Sequence, residues 1–220
     1  MEQKPFSLPP QRNYEYAYTQ AYKLARQQLA GIKDLKEQCR KSGAQYQEQG
    51  SRQVLSLTVL NQPYQVTLPG VEVTLAGSTA AVPLKTKILL LHYLIRAGGK
   101  MPSGKMITFK ELPEGPVYFP TFAKRTLNPL LKYFGKETNR LWDTAEVLGG
   151  QKADYGDVAV MVRAFPKVVV TLVLWRGDSE FQPSASILFD ASIEDYLPTE
   201  DIIRTCEAVI WRLVKSLPAS

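Results

Sequence analysis

Seven of the eight residues from Val168 to Trp175 are apolar, three of them consecutive valines, and Arg176-Gly177-Asp178 follows as a turn signal. A run this short, apolar at all but one position and bounded by breakers, reads as a central strand buried on both faces rather than as a helix. Phe165-Pro166 breaks the chain before it, and Val158 to Arg163 and Ala185 to Phe189 flank it as further strand segments. A second block has a different pattern. Leu55, Leu57 and Val59 alternate with Ser56 and Thr58, then Tyr64, Val66 and Leu68 alternate after the Asn61-Gln62-Pro63 turn, and Val71, Val73 and Leu75 follow Pro69-Gly70. Strict alternation predicts a three-stranded antiparallel meander with one covered and one wetter face.

Between and around these blocks the apolar period becomes helical. Tyr14, Tyr18, Ala21, Ala25 and Leu29 share one helix face closed by Gly31, and a charged helical stretch covers Lys33 to Lys41. Pro83 can open, and Gly98-Gly99 can stop, a helix whose stripe is Leu84, Ile88, Leu91 and Ile95; Leu89, Leu90, Tyr93 and Leu94 make it apolar almost all round. Such a helix belongs in the core. Met106 to Phe109 reads as a short strand. Phe119, Phe122, Ala123 and Leu127 then form a helical face, with Asn128 and Pro129 placed to cap and start a second piece ending at Gly135. A helix is expected from Asn139 to Leu148. Thr199 is positioned to cap a final helix carrying Glu200 and Asp201 in its first turn, where carboxylates meet the positive helix end. The fold class this predicts is α+β: residues 1–13 a disordered tail, and 14–220 a single domain of two antiparallel β-meanders packed with several helices, with an N-terminal helical arm.

The two cysteines, Cys39 and Cys206, lie far apart with no C-x-x-C spacing, so neither an iron–sulphur cluster nor a cysteine zinc site can be built within one chain. No signal sequence is legible at the start, and no apolar stretch approaches the roughly 20 residues that cross a bilayer. A cytoplasmic protein with no membrane partner is the expectation. The net charge of +6 is unevenly distributed: Lys85 to Lys136 carries ten Lys or Arg against Glu111 and Glu114. An electropositive centre can hold a small anionic ligand or an acidic protein, and nucleic acid is a weaker fit; it can also be no more than a solvated face.

Chemistry is sharply limited by one count: His92 is the only histidine. Any two-histidine metal site is excluded. His92 is either a hydrogen-bonded core histidine or a single axial ligand to a metal whose remaining positions a macrocycle fills. For a planar anionic macrocycle the expected walls are Tyr93, Phe119, Phe122 and Trp175, with Arg96, Lys105 and Arg125 meeting its acidic edge; the aromatics can equally be packing residues. A competing reading takes Asp178, Glu180 and Asp190 as acid–base or cation-binding carboxylates, although turn chemistry already explains Gly177 and Asp178. No phosphate loop, dinucleotide fingerprint or nucleophile elbow is present.

The phrases ILLLHYL, ITFKELPEGPVYFPTF, LLKYFG, GDVAVMVRAFPKVVVTLVLWRGDSEFQPSASILFDAS and YLPTED, running from about Leu35 to the C-terminus, resemble the domain-of-unknown-function family 3786 of anaerobic bacteria and archaea. Some members resemble fusions to a four-iron cluster domain like that of corrinoid proteins in one-carbon metabolism; this chain lacks those cysteines. With His92, the resemblance implies a ligand-binding protein for a tetrapyrrole, either a cobamide or haem, in cofactor handling or one-carbon metabolism. The rivals are a carboxylate enzyme using a divalent cation and an interaction module built on the basic segment.

Overall fold

The structure, a computed structural model, describes residues 12–218. The expected tail therefore lies outside the described residues up to position 11, while Arg12 and Asn13 already belong to the first helix. α1 (Arg12–Ala30) and α2 (Leu35–Ser42) precede a sheet of β1 (Gln45–Gln49), β2 (Arg52–Val59), β3 (Gln62–Leu68) and β4 (Glu72–Leu75). α3 (Leu84–Arg96) leads to β5 (Met106–Thr108), α4 (Gly115–Arg125), α5 (Leu127–Phe134) and α6 (Arg140–Ala145). β6 (Gln151–Ala153), β7 (Val158–Phe165), β8 (Val168–Trp175) and β9 (Ser184–Asp190) follow, and α7 (Thr199–Lys215) ends the fold.

The architecture is α+β, with both sheets antiparallel. The first sheet is a meander in the order β1-β2-β3-β4 and the second runs β5-β9-β8-β7-β6. The apolar run is the middle strand of the larger sheet, and Val170 to Leu174 are all buried. One strand escaped the alternation rule. β1, with the sequence QYQEQ, pairs along β2 from Gln45↔Ser56 to Gln49↔Arg52, so the first sheet has four strands and not three. Its side chains face solvent apart from half-buried Tyr46, and backbone pairing to β2 holds it with no alternating apolar face. β6 likewise extends the second sheet at its other edge. The two sheets meet where Leu60 N–H, in the β2–β3 turn, donates to Ala164 C=O at 3.0 Å.

α3 lies at the centre, with Leu90, Leu91, Tyr93 and Leu94 no more than 1% exposed. α1 packs along it through Ala25 and Leu29, as the sequence period predicts. Asp34 caps α2 by accepting from Glu37 N–H at 2.8 Å, and Gly43, in the left-handed region, ends it. Two expected caps are placed differently. The break between α4 and α5 falls at Thr126, whose hydroxyl donates to Phe122 C=O, so α5 starts before Asn128 and takes Pro129 into its first turn. Pro198 occupies the cap position of α7, and the Thr199 hydroxyl instead donates to Pro113 C=O at 2.9 Å, tying α7 to the loop before α4. One continuous core joins α1, both sheets and the remaining helices.

Candidate functional site at the α3–α7 junction

His92 leaves α3 toward the first turn of α7. Its Nδ1 lies 2.7 Å from Oδ2 of Asp201; the aspartate side chain is 6% exposed and the histidine 34%. With Asp201 ionised, Nδ1–H donates to the carboxylate and Nε2 keeps its lone pair. This is how a carboxylate fixes the tautomer and ring orientation of an imidazole that ligates through its other nitrogen.

Further charged groups come from α3, α4 and α7. Arg204, one turn beyond Asp201, meets Glu200 at 3.0 Å and donates to the Tyr18 hydroxyl of α1 at 3.5 Å. Lys85, two turns before His92 on α3, places its ammonium 5.0 Å from the Tyr18 ring centroid. The Arg204 hydrogen bond holds the Tyr18 hydroxyl below the usual tyrosine range against the opposing effect of burial, with Lys85 and Arg125 adding to the pull. Arg125, at the end of α4, pairs with Glu207 and reaches Glu200 at 3.6 Å. Arg96 follows His92 by one turn, exposed, its Nε donating to Glu194 C=O at 3.3 Å. Periodicity did not single out Tyr18, Asp201 or Arg204 for this junction. The readable signals were the Glu200–Arg204 spacing of four and an acid in the first turn of α7.

Of the residues expected to form one pocket, His92 and Arg125 come to this junction and Arg96 flanks it. Tyr93 and Phe122 turn into the core. The Tyr93 hydroxyl donates to Ser42 C=O and accepts from Lys167 N–H, its ring stacks on Phe165 at 4.3 Å, and burial drives its pKa upward. Phe122 stacks on Phe109 at 4.0 Å. Phe119 packs tilted against Phe122 beneath the Lys110 ammonium. Trp175 sits exposed at the end of β8, and Lys105 precedes β5 with its carbonyl accepting from Ala191 N–H.

Two of the three carboxylates of the rival reading, Asp178 and Asp190, are engaged by their own loops. Asp178 accepts from Glu180 and Phe181 N–H, each at 2.8 Å, which closes the turn after β8. Asp190 accepts from Ser103, Gly104 and Ser192 N–H and from the Ser103 hydroxyl, stitching the approach to β5 onto the end of β9. Among the described residues no three His, Cys, Asp or Glu side chains converge as metal ligands. A macrocycle needs only one axial donor, and His92 Nε2 fits that requirement. The aromatic slot expected around it does not form, because Tyr93 and Phe122 are interior.

The family model described as a domain of unknown function (DUF3786) matches residues 34–212. The chain belongs to that family. No curated protein and no solved structure matches it. The DUF3786 match begins at the Asp34 cap of α2 and ends in α7, so it contains both His92 and Asp201. α1 precedes the DUF3786 segment, and the Tyr18 contact to Arg204 is thus made from outside it. No helix of the described residues is long and apolar enough to cross a membrane.

Proposed function

We propose that the domain is a non-catalytic, cytoplasmic ligand-binding protein in which His92 Nε2 is the axial ligand to the metal of a tetrapyrrole, a cobamide or haem, for cofactor handling or one-carbon metabolism. The observation that carries this reading is the 2.7 Å contact between His92 Nδ1 and the buried Asp201 carboxylate. It orients the ring and sets the tautomer, leaving Nε2 as the free donor. Lys85 and Arg96, two turns before and one turn after His92 on the same helix, supply cations for the propionate or phosphate edge. With Tyr93 and Phe122 in the core, the macrocycle lies against the junction surface rather than inside an apolar slot.

The test is to titrate haem and hydroxocobalamin separately into metal-free protein and follow the absorption spectra. Submicromolar binding with a histidine-ligated spectrum is expected, lost in His92→Ala and weakened about 10–100-fold in Asp201→Asn. Circular dichroism must show both variants folded. Failure of both macrocycles to bind, or spectra that survive loss of His92, removes the proposal.

A further inference from the structure

α3 and α7 run antiparallel, so the seam that holds His92 and Asp201 at one end opens at the other between the start of α3 and the end of α7. A groove of about 320 Å³ lies there, at the lower end of the range of small-molecule sites, roughly 300–1,000 Å³. Its floor and walls are apolar: Leu60 from the β2–β3 turn, Leu89 from α3, Phe165 from β7, and Ala208 and Trp211 from α7. Arg212 and Lys215 stand on the same wall, and no Asp or Glu lines the groove.

The state of Arg212 gives the groove its chemistry. Its Nη1 donates at 3.0 Å to Oε1 of Gln62, a neutral acceptor that also lies 3.4 Å from the Tyr64 hydroxyl. The guanidinium is positioned but not neutralised. Among the described residues neither Arg212 nor Lys215 forms an ion pair. This contrasts with Arg125 and Arg204, whose charges are met by glutamates. An apolar groove that carries two uncompensated cations and no acid is complementary to a molecule with a hydrocarbon body and one anionic end.

We propose that this groove binds a small apolar carboxylate, its hydrocarbon part against Leu89, Phe165 and Trp211 and its carboxylate between Arg212 and Lys215. Arg recognises carboxylates through paired N–H donors, and the surrounding apolar walls strengthen that contact by excluding water. The site is separate from His92 and does not depend on the tetrapyrrole reading. Trp211, 40% exposed and edge-on to Tyr133 at 6.0 Å, reports occupancy through its fluorescence.

The experiment uses the full chain and three probes of equal length: octanoate, 1-octanol and octylamine. Saturable quenching by octanoate is expected, removed by Trp211→Phe although Trp142 and Trp175 still fluoresce, with octanol at least about tenfold weaker and octylamine weaker still, as loss of charge-assisted hydrogen bonds predicts. Arg212→Gln with Lys215→Gln should weaken octanoate about tenfold or more and leave octanol unchanged, whereas Arg212→Lys should keep the preference for the acid. Ala208→Trp, which fills the groove, should abolish binding of all three, and His92→Ala should leave octanoate binding intact. Octanol binding as tightly as octanoate, an unchanged affinity in the folded double variant, or no saturable octanoate binding would overturn the assignment.

Discussion

Asp201 Oδ2 and His92 Nδ1, 109 positions apart in the chain, are 2.7 Å apart in space and join the first turn of α7 to the last turns of α3. The carboxylate is buried and the imidazole is its partner, so removing the imidazole leaves an acceptor without its donor. His92→Ala should therefore destabilise by about 1–3 kcal/mol, the cost of an unsatisfied buried polar group. Asp201→Ala should cost a similar amount, and the double variant less than the sum, with a coupling of about 0.5–3 kcal/mol in denaturant melts. Strict additivity would mean that the pair does not interact in solution.

Leu91, beside His92 on the same helix, is fully buried. Leu91→Ala should cost about 2–5 kcal/mol through lost transfer energy and the cavity left behind. Urea melts measure it. A loss below about 1 kcal/mol would place α3 at the surface, since exposed substitutions rarely exceed that.

Asp190 makes acid stability specific. Burial raises its pKa, but hydrogen bonds from Ser192, Ser103 and Gly104 outweigh that and hold the carboxyl well below the usual range. The folded state thus binds this proton less readily than the unfolded chain, whose aspartates titrate near about 3.9. Its contribution is fully present above about pH 4 and is lost as pH falls toward the depressed folded value. Asp190→Asn should flatten the acid limb of the stability curve below about pH 4, and at neutral pH should cost about 0.5–2 kcal/mol because charge-assisted hydrogen bonds are exchanged for neutral ones. An acid limb identical to that of the unaltered protein would mean that the loop at Ser103 does not hold this carboxylate.

The elements legible in the sequence were those that bury a periodic side-chain pattern. β8, α3 and α7 announce themselves because their apolar residues must face a core, and the ends of α3 fall within two residues of Pro83 and Gly98. β1 and β6 do not, because QYQEQ and QKA sit at sheet edges and are held by backbone hydrogen bonds that any side chain permits. The same distinction governs the site. His92 stood out by being the single histidine, but its partner is fixed by how α3 crosses α7, which no local spacing encodes. Tyr93 and Phe122 were placed around a ligand because aromatics serve cores and binding sites alike; their contacts with Phe165 and Phe109 decide for the core.

Several cations of the basic segment from Lys85 to Lys136 have individual local partners. Lys85, Lys87, Lys110 and Lys132 lie 4.2–5.7 Å from the ring centroids of Tyr18, Tyr22, Phe119 and Tyr133. Arg125 is bonded to Glu207 through Nε at 3.2 Å and through Nη2, with both side chains partly buried. These cations differ in what their removal leaves behind. Loss of an exposed lysine such as Lys105 strands no carboxylate, and Lys105→Gln should stay within about 0.5 kcal/mol of the unaltered protein. Arg125→Gln leaves the half-buried Glu207 carboxylate without its two-pronged partner and should cost about 0.5–2 kcal/mol, more at low salt than at high. Adding Glu207→Gln should recover most of that loss, because the stranded charge is removed along with its partner. Denaturant melts of the three variants at two salt concentrations measure the effect; a double variant no more stable than Arg125→Gln alone would show that Arg125 acts through packing and not through its pairing with Glu207.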